Sequence, residues 1–131
     1  MNKVNKSFLK NSHYISDLKL CSVRLIDNCK FPWIILVPKR KNIIDITELN
    51  PKDQILLIKE IVYCGKLMKK IFKTSKLNIE KIGNIVPQLH IHIIARFKRD
   101  STWPLSVWTT KEKNYSKKIF LKNIQKIKKL I

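Results

Sequence analysis

The sequence predicts a segregated α+β domain with antiparallel strands, on three observations. Its periodic segments run in the order strand, strand, helix, strand, strand, helix. The connections between strands are too short for the crossovers that parallel pairing needs. No repeat or linker divides the 131 residues, a length that buries one core but not two. One domain over 1–131 is therefore expected, with its core at about 12–110 and a basic C-terminal helix over 111–131.

Leu18–Asp27, LKLCSVRLID, sets Leu18, Leu20, Val23 and Leu25 near period two, with Cys21 and Ile26 beside them, which predicts a half-buried strand. Asn28 and Pro32 mark a turn, and WIILVP follows as a short apolar strand that Pro38 stops, because proline has no N–H for the ladder. The two strands should form a hairpin, with Lys39 and Arg40 in solvent at its end. Asn50 as N-cap, Pro51 at the first helical position and Asp53 in the first turn then open a long helix over about 50–73. Ile55, Ile58, Ile61 with Val62, Gly65, Met68, and Ile71 with Phe72 recur at helical spacing as its expected core face.

KLNIEKIG supplies a strand with Leu77 and Ile79 on one face, Gly83-Asn84 punctuates it, and Val86–Phe97 should pair with it in antiparallel fashion. After a Trp-rich loop, DSTWPLSVW, the residues Phe120, Ile124, Ile127 and Ile131 fall at helical spacing beneath a lysine-rich face. That helix is expected to dock on its own domain or on a dimer partner, in preference to an anionic membrane surface.

Composition narrows the function. No run approaches the roughly 20 apolar residues of a membrane span, and Met1–Lys10 is basic and polar, without the apolar core of a secretory signal. Cys21, Cys29 and Cys64 show neither CxxC nor zinc-finger spacing and read as reduced thiols. A cytoplasmic protein with no membrane partner is expected. The charge of +19, from 28 Lys and Arg against 9 Asp and Glu, suggests a polyanion partner. The Lys, Asn and Ile enrichment with scarce Ala and Gly is equally what an AT-rich coding sequence produces, and the charge is spread along the chain. A nucleic-acid partner is therefore not expected.

The stretch GNIVPQLHIHIIARF, residues 83–97, carries the chemistry. Read as a strand, it points Gln88, His90 and His92 to one face and Leu89, Ile91 and Ile93 to the other. Three readings fit this column. The histidines are structural; or they are two ligands of a metal, with His13, a cysteine or Asp27 as the third; or one is a nucleophile whose other ring nitrogen is fixed as a donor.

QLHIHII resembles the signature of the histidine-triad (HIT) family, with Gln88 in place of the first histidine. The likeness extends upstream through Gly83-Asn84, Asn78 and FPWIILVPKR, and downstream ARFKRDSTWPLSVW resembles a bacterial branch with Gln at that first position, covering roughly residues 12 to 110. The resemblance implies a HIT-like antiparallel sheet of about five strands with one long central helix and a C-terminal helix. It further implies a homodimer that hydrolyses or transfers nucleotides at the α-phosphorus, through a nucleotidyl-histidine intermediate. The substrates it suggests are nucleoside phosphates, phosphoramidates and dinucleoside polyphosphates; a catalytically weak nucleotide-binding module is the alternative.

By position, His90 matches the family's nucleophile, His92 the supporting histidine, and Gln88 the first triad member. Asn84 and Asn78 match phosphate-side residues, Asp27 or Asn28 the group that holds the ribose, and Leu25 and Leu36 the base pocket. Trp103 and Trp108 either cover the sheet edge or stack on a base, and Arg96 either approaches a phosphate or is solvated. Trp33 stands where many members carry a further histidine. No cofactor is expected to be tightly bound, and a divalent cation would arrive with the nucleotide. Gln88 does not titrate near neutral pH, although its amide can donate a hydrogen bond.

Overall fold

Four segments rich in β-branched or apolar residues and one polar segment pair into a single antiparallel sheet in the computed structural model, which describes residues 5–131. Met1–Val4, part of the basic N-terminal segment, lie outside the described residues. The chain opens with helix α1 (Lys6–Asn11) and runs directly into strand β1 (Ser12–Asp17). β2 (Cys21–Ile26), β3 (Trp33–Pro38), helix α2 (Pro51–Phe72), β4 (Lys76–Glu80), β5 (Ile91–Arg96) and helix α3 (Lys117–Leu130) follow. The sheet order is β1-β2-β3-β5-β4, with every neighbouring pair antiparallel. The α+β class and the five-stranded antiparallel sheet expected from the sequence are thus present.

Alternation along β2, β3 and β5 divides their side chains between two buried faces. Val23, Leu25, Ile34, Leu36, Ile91 and Ile93 meet Leu57, Ile61, Met68, Ile124 and Ile127 on the face that α2 and α3 cover. Burying each large aliphatic group there is worth roughly 1.5–3 kcal/mol. Ile26, Trp33, Ile35 and Ile94 turn to the opposite face, where Phe8 of α1 and Val107 close over them. That second face carries the site.

α2 begins as its sequence predicts: Asn50 accepts from the Asp53 N–H at 2.8 Å, with Pro51 at the first position. Its buried side differs from the expected one. Ile61, Gly65 and Met68 are buried, but Ile55, Ile58 and Val62 are exposed, and Leu57, Glu60, Cys64 and Leu67 take the core positions. Glu60 ties the helix to the sheet by accepting from the Leu20 and Cys21 N–H groups at 2.8 and 2.9 Å. Gly65 lets α2 approach β4, since a Cβ there would stand 3.1 Å from Leu77 Cδ1. Arg40 is not a free solvent charge; it pairs with buried Asp53 at 2.7 Å.

The expected strand Val86–Phe97 is shorter than predicted. β5 starts at Ile91, because β3 and β4 offer partners only as far as Leu36↔Ile91 and Glu80↔His92. Residues 81–90 form a loop turned at Gly83, whose φ of +72° suits glycine, and Leu89 donates to the Ile43 carbonyl at 2.9 Å. Among the described residues, no helix is long and apolar enough to cross a membrane.

Candidate active site

A cavity of about 930 Å³ opens on the sheet face opposite α2, walled by Phe8, Ile26, Trp33, Ile35, Val107 and Trp108, with His90 and His92 in its lining. His92 reaches it from β5, directly opposite Ile35 in the ladder. His90 reaches it from the end of the loop that precedes β5. The two rings are edge to face, with centroids 4.8 Å apart, and both residues are buried.

Hydrogen bonding sets the two imidazoles in opposite tautomers. Nδ1 of His90 lies 2.7 Å from the Gln88 carbonyl oxygen. A carbonyl only accepts, so Nδ1 holds the proton and Nε2 keeps its lone pair. Trp33 Nε1–H donates to His92 Nδ1 at 3.0 Å. An indole N–H only donates, so in His92 the proton sits on Nε2.

Electrostatics keep both rings neutral. Burial lowers the pKa of His90, more than the Gln88 carbonyl raises it, and Lys81 lowers it further. Burial also brings His92 down from 6.5 to about 4, with the neighbouring His90 adding to the shift. A neutral imidazole with an available lone pair beside a neutral N–H donor can attack an electrophile and hold the oxygen that becomes more negative.

The other sequence-predicted residues divide between the cavity and its surroundings. Asn84, Asn28 and Trp108 line the cavity. Asn28 is buried and its Oδ1 accepts from the Lys30 N–H at 3.0 Å. Trp108 lies 5.3 Å from His92 and 5.0 Å from Trp33, ring to ring, and its Nε1 donates to Glu80 at 2.9 Å. Asp27 turns instead to the segment before α3, accepting from Asn114 Nδ2 and the Tyr115 N–H, each at 2.8 Å.

Arg96 neither approaches the cavity nor meets solvent. It is 2% exposed and forms a bidentate pair with Asp100, at 2.8 and 3.1 Å. Asn78 is part of that structure, accepting from Arg96 Nη1 at 2.6 Å, and Trp103 packs over the guanidinium at 5.5 Å. Leu25 and Leu36 lie in the core on the far face of the sheet. The cavity is lined instead by their neighbours Ile26 and Ile35, and the register of Ile35 with His92 is the signal that places Ile35 there.

Gln88 does not extend a strand column with His90 and His92. Its Oε1 accepts from the Asn5 N–H at 2.7 Å, at the start of α1. Phe8, whose ring is 4.7 Å from that of His90, was not predicted from the sequence, which shows no periodic signal around it. For a metal, the expected third ligands do not gather: His13 lies against Phe120 on the α3 side. Among the described residues, no group of three or more His, Cys, Asp or Glu is placed to hold a metal ion.

An antiparallel five-stranded sheet with two histidines edge to face in a largely apolar cleft is the arrangement the histidine-triad resemblance predicts. The family profile described as the HIT domain matches residues 8–99. A histidine triad protein from Sinorhizobium meliloti is 33% identical with a TM-score of 0.95, over 100% of this chain and 98% of its own. One from Bradyrhizobium japonicum is 34% identical at 0.93, covering 97% and 96%. One from Marinobacter aquaeolei is 31% identical at 0.94, covering 99% and 96%. No curated protein matches. The chain belongs to the histidine-triad family.

Proposed function

We propose that the protein is a nucleotide hydrolase or nucleotidyl transferase acting at the α-phosphorus of a nucleoside phosphate, phosphoramidate or dinucleoside polyphosphate. The observation that carries this reading is the 2.7 Å contact of His90 Nδ1 with the Gln88 carbonyl, which leaves Nε2 as the lone-pair nitrogen. Nε2 attacks phosphorus, the bond to the leaving group breaks, and the leaving group departs with its electron pair. The positive charge that develops on the ring is stabilised through Nδ1–H by the same carbonyl. His92 Nε2–H donates to a non-bridging oxygen. Water, or an acceptor in a transfer, then attacks phosphorus; the P–Nε2 bond breaks, its electron pair returns to Nε2, and the proton of the attacking group passes to solvent.

Asn84 and Asn28 are the polar groups proposed for phosphate and ribose, and the apolar wall takes the base. A divalent cation would enter with a polyphosphate substrate. Gln88 cannot protonate a departing amine or alkoxide, so leaving groups stable as anions are favoured; the missing general acid costs about 10²- to 10⁴-fold on basic ones. Steady-state turnover of a substrate panel tests this. Hydrolysis should be fastest where phosphate or a nucleotide departs, slower for amines, and lost in His90→Ala; undiminished turnover by His90→Ala would remove the assigned nucleophile.

The engagement of Gln88 with Asn5 favours one second reading, a nucleotide-binding module with little catalysis. Calorimetry that finds nucleoside monophosphate binding without consumption of any substrate separates the two. A homodimer is proposed as well. Exposed Ile55, Ile58 and Val62 lie on the flank of α2 that carries Gly65, which packs on Leu77 of the edge strand β4, where Ile79 is also half-exposed. A second copy would cover this surface, and Ile58→Glu should then shift the sedimenting species to monomer.

A further inference from the structure

At its C-terminal end the N-terminal helix is tied to the strands. There the Asn11 carbonyl accepts from the Asp27 N–H at 2.8 Å, and the Ser12 hydroxyl donates to the Phe8 carbonyl. Buried Arg24 donates to the Ser12 hydroxyl and carbonyl at 2.8 and 3.1 Å. At the other end, Asn5 caps the helix by accepting from the Ser7 N–H at 2.9 Å, and its own N–H is held by Gln88 Oε1 at 2.7 Å across 83 residues of sequence. Six residues of helix are too few to stay ordered alone in water.

What this helix carries is part of the cavity. Phe8 is 4% exposed and packs edge to face on His90, and Ser7 and Asn11 complete the same wall. Gln88 thus serves both sides of the cleft: its backbone carbonyl orients the His90 ring, and its side chain holds the wall that covers that ring. The carboxamide oxygen of Gln88 is what accepts from the Asn5 N–H.

We propose that Gln88 is a positioning residue whose side chain latches α1 across the cavity, so that Phe8 walls the nucleotide site over His90. The ligand side of this inference rests on the nucleotide-binding reading above; the latch itself does not. The wall would restrict the cleft to a planar group such as a base, and releasing it would weaken binding of the nucleoside portion while leaving the His90 carbonyl contact in place.

The test compares wild type, Gln88→Leu, Gln88→Glu, Phe8→Ala and the Gln88→Leu/Phe8→Ala double variant. Amide hydrogen exchange over residues 5–11 is measured without ligand, and adenosine and guanosine monophosphate binding is measured by calorimetry. Gln88→Leu should speed exchange in α1 by about 5- to 10-fold, the worth of one such hydrogen bond, with β5 amides unchanged as the control for folding. Gln88→Glu keeps an acceptor for the Asn5 N–H and should retain α1 protection within about 2-fold of wild type. Gln88→Leu and Phe8→Ala should each weaken nucleotide binding, and the double variant should be no weaker than the worse single one, because both act through one element. Unchanged α1 exchange in Gln88→Leu, equal loss in Gln88→Glu, or multiplying losses in the double variant would overturn the latch. If wild type binds neither nucleotide, the nucleotide reading fails, and the exchange measurements still decide the latch.

Discussion

Trp33→Phe tests the hydrogen bond that sets the His92 tautomer. The substitution keeps an aromatic ring against His92 and Trp108 but removes the Nε1–H that His92 Nδ1 accepts at 3.0 Å. The net value of the bond is about 1 kcal/mol, and the buried acceptor left behind raises the cost to about 1–3 kcal/mol. Loss of indole volume from a closely packed wall adds to this, for a total of about 2–4 kcal/mol. At roughly 4 °C per kcal/mol for a chain of this size, the melting temperature should fall by about 8–16 °C.

The pH dependence gives the same test an independent sign. The pKa of folded His92, about 4, lies below its ordinary 6.5, so the unfolded chain binds the extra proton between those values. Stability is complete above about pH 6.5 and falls as pH drops toward 4, by about 3 kcal/mol in all. In the wild type, a proton on Nδ1 would face the indole N–H, donor against donor. Trp33→Phe removes that conflict, so its His92 should titrate closer to 6.5. Chemical denaturation across pH 4–7 and nitrogen NMR of labelled imidazoles measure both effects. A wild-type His92 protonated at Nδ1, or a variant as stable as wild type with an unmoved His92 titration, would refute the tautomer assignment.

Asp100→Ala should destabilise by about 3–5 kcal/mol, because it strands the buried Arg96 guanidinium without its partner; denaturation that shifts by less than about 1 kcal/mol would contradict this. Burial opposes the Asp100 carboxylate, but Arg96 and the N–H groups of Phe97, Thr102 and Trp103 outweigh it and hold the pKa at about 2. That stabilisation should therefore persist until pH falls below about 4 and disappear through about 2, as acid titration of the folded state will report. Burial, then Glu60, pushes the Cys64 thiol up to about 12, and Cys21 rises for the same reasons. Iodoacetamide at pH 8 should label exposed Cys29 in the native protein and all three thiols after denaturation; rapid native labelling of Cys64 would contradict its burial.

Much of this structure is written locally in the chain. Asn50-Pro51 with Asp53 specifies the start of α2 through groups three residues apart, and WIILVP coincides with β3 because Pro38 terminates the ladder. Two features escaped for physical reasons. α1 is six residues long and β1, SHYISD, buries only Ile15, so neither has a period to read. Periodicity misplaces the core face of α2 because isoleucine is abundant on both sides of the helix, and Ile55 and Ile58 imitate a buried stripe at 60% and 57% exposure.

The site was legible where its residues share a strand or a motif. His90 and His92 line one cavity, while Leu25 and Leu36 lie on the opposite face of the sheet, because a single position reverses a strand side chain. Gln88 falls on the histidine face only if β5 is extended backward past Pro87. The ladder ends at Ile91, so alternation does not apply to residue 88, and its partner is set by tertiary contact with α1. Arg96 similarly follows strand alternation, but the buried carboxylate of Asp100, four residues on, claims it.

In the proposed reaction His90 Nε2 forms a bond to the α-phosphorus. Intact-protein mass spectrometry after brief mixing with adenosine and guanosine phosphates and phosphoramidates, quenched so that phosphohistidine survives, measures that bond directly. A mass increase of one nucleotidyl group on wild type, absent from His90→Ala, is the predicted result. An adduct that persists in His90→Ala, or turnover by wild type with no adduct at any quench time, would contradict it.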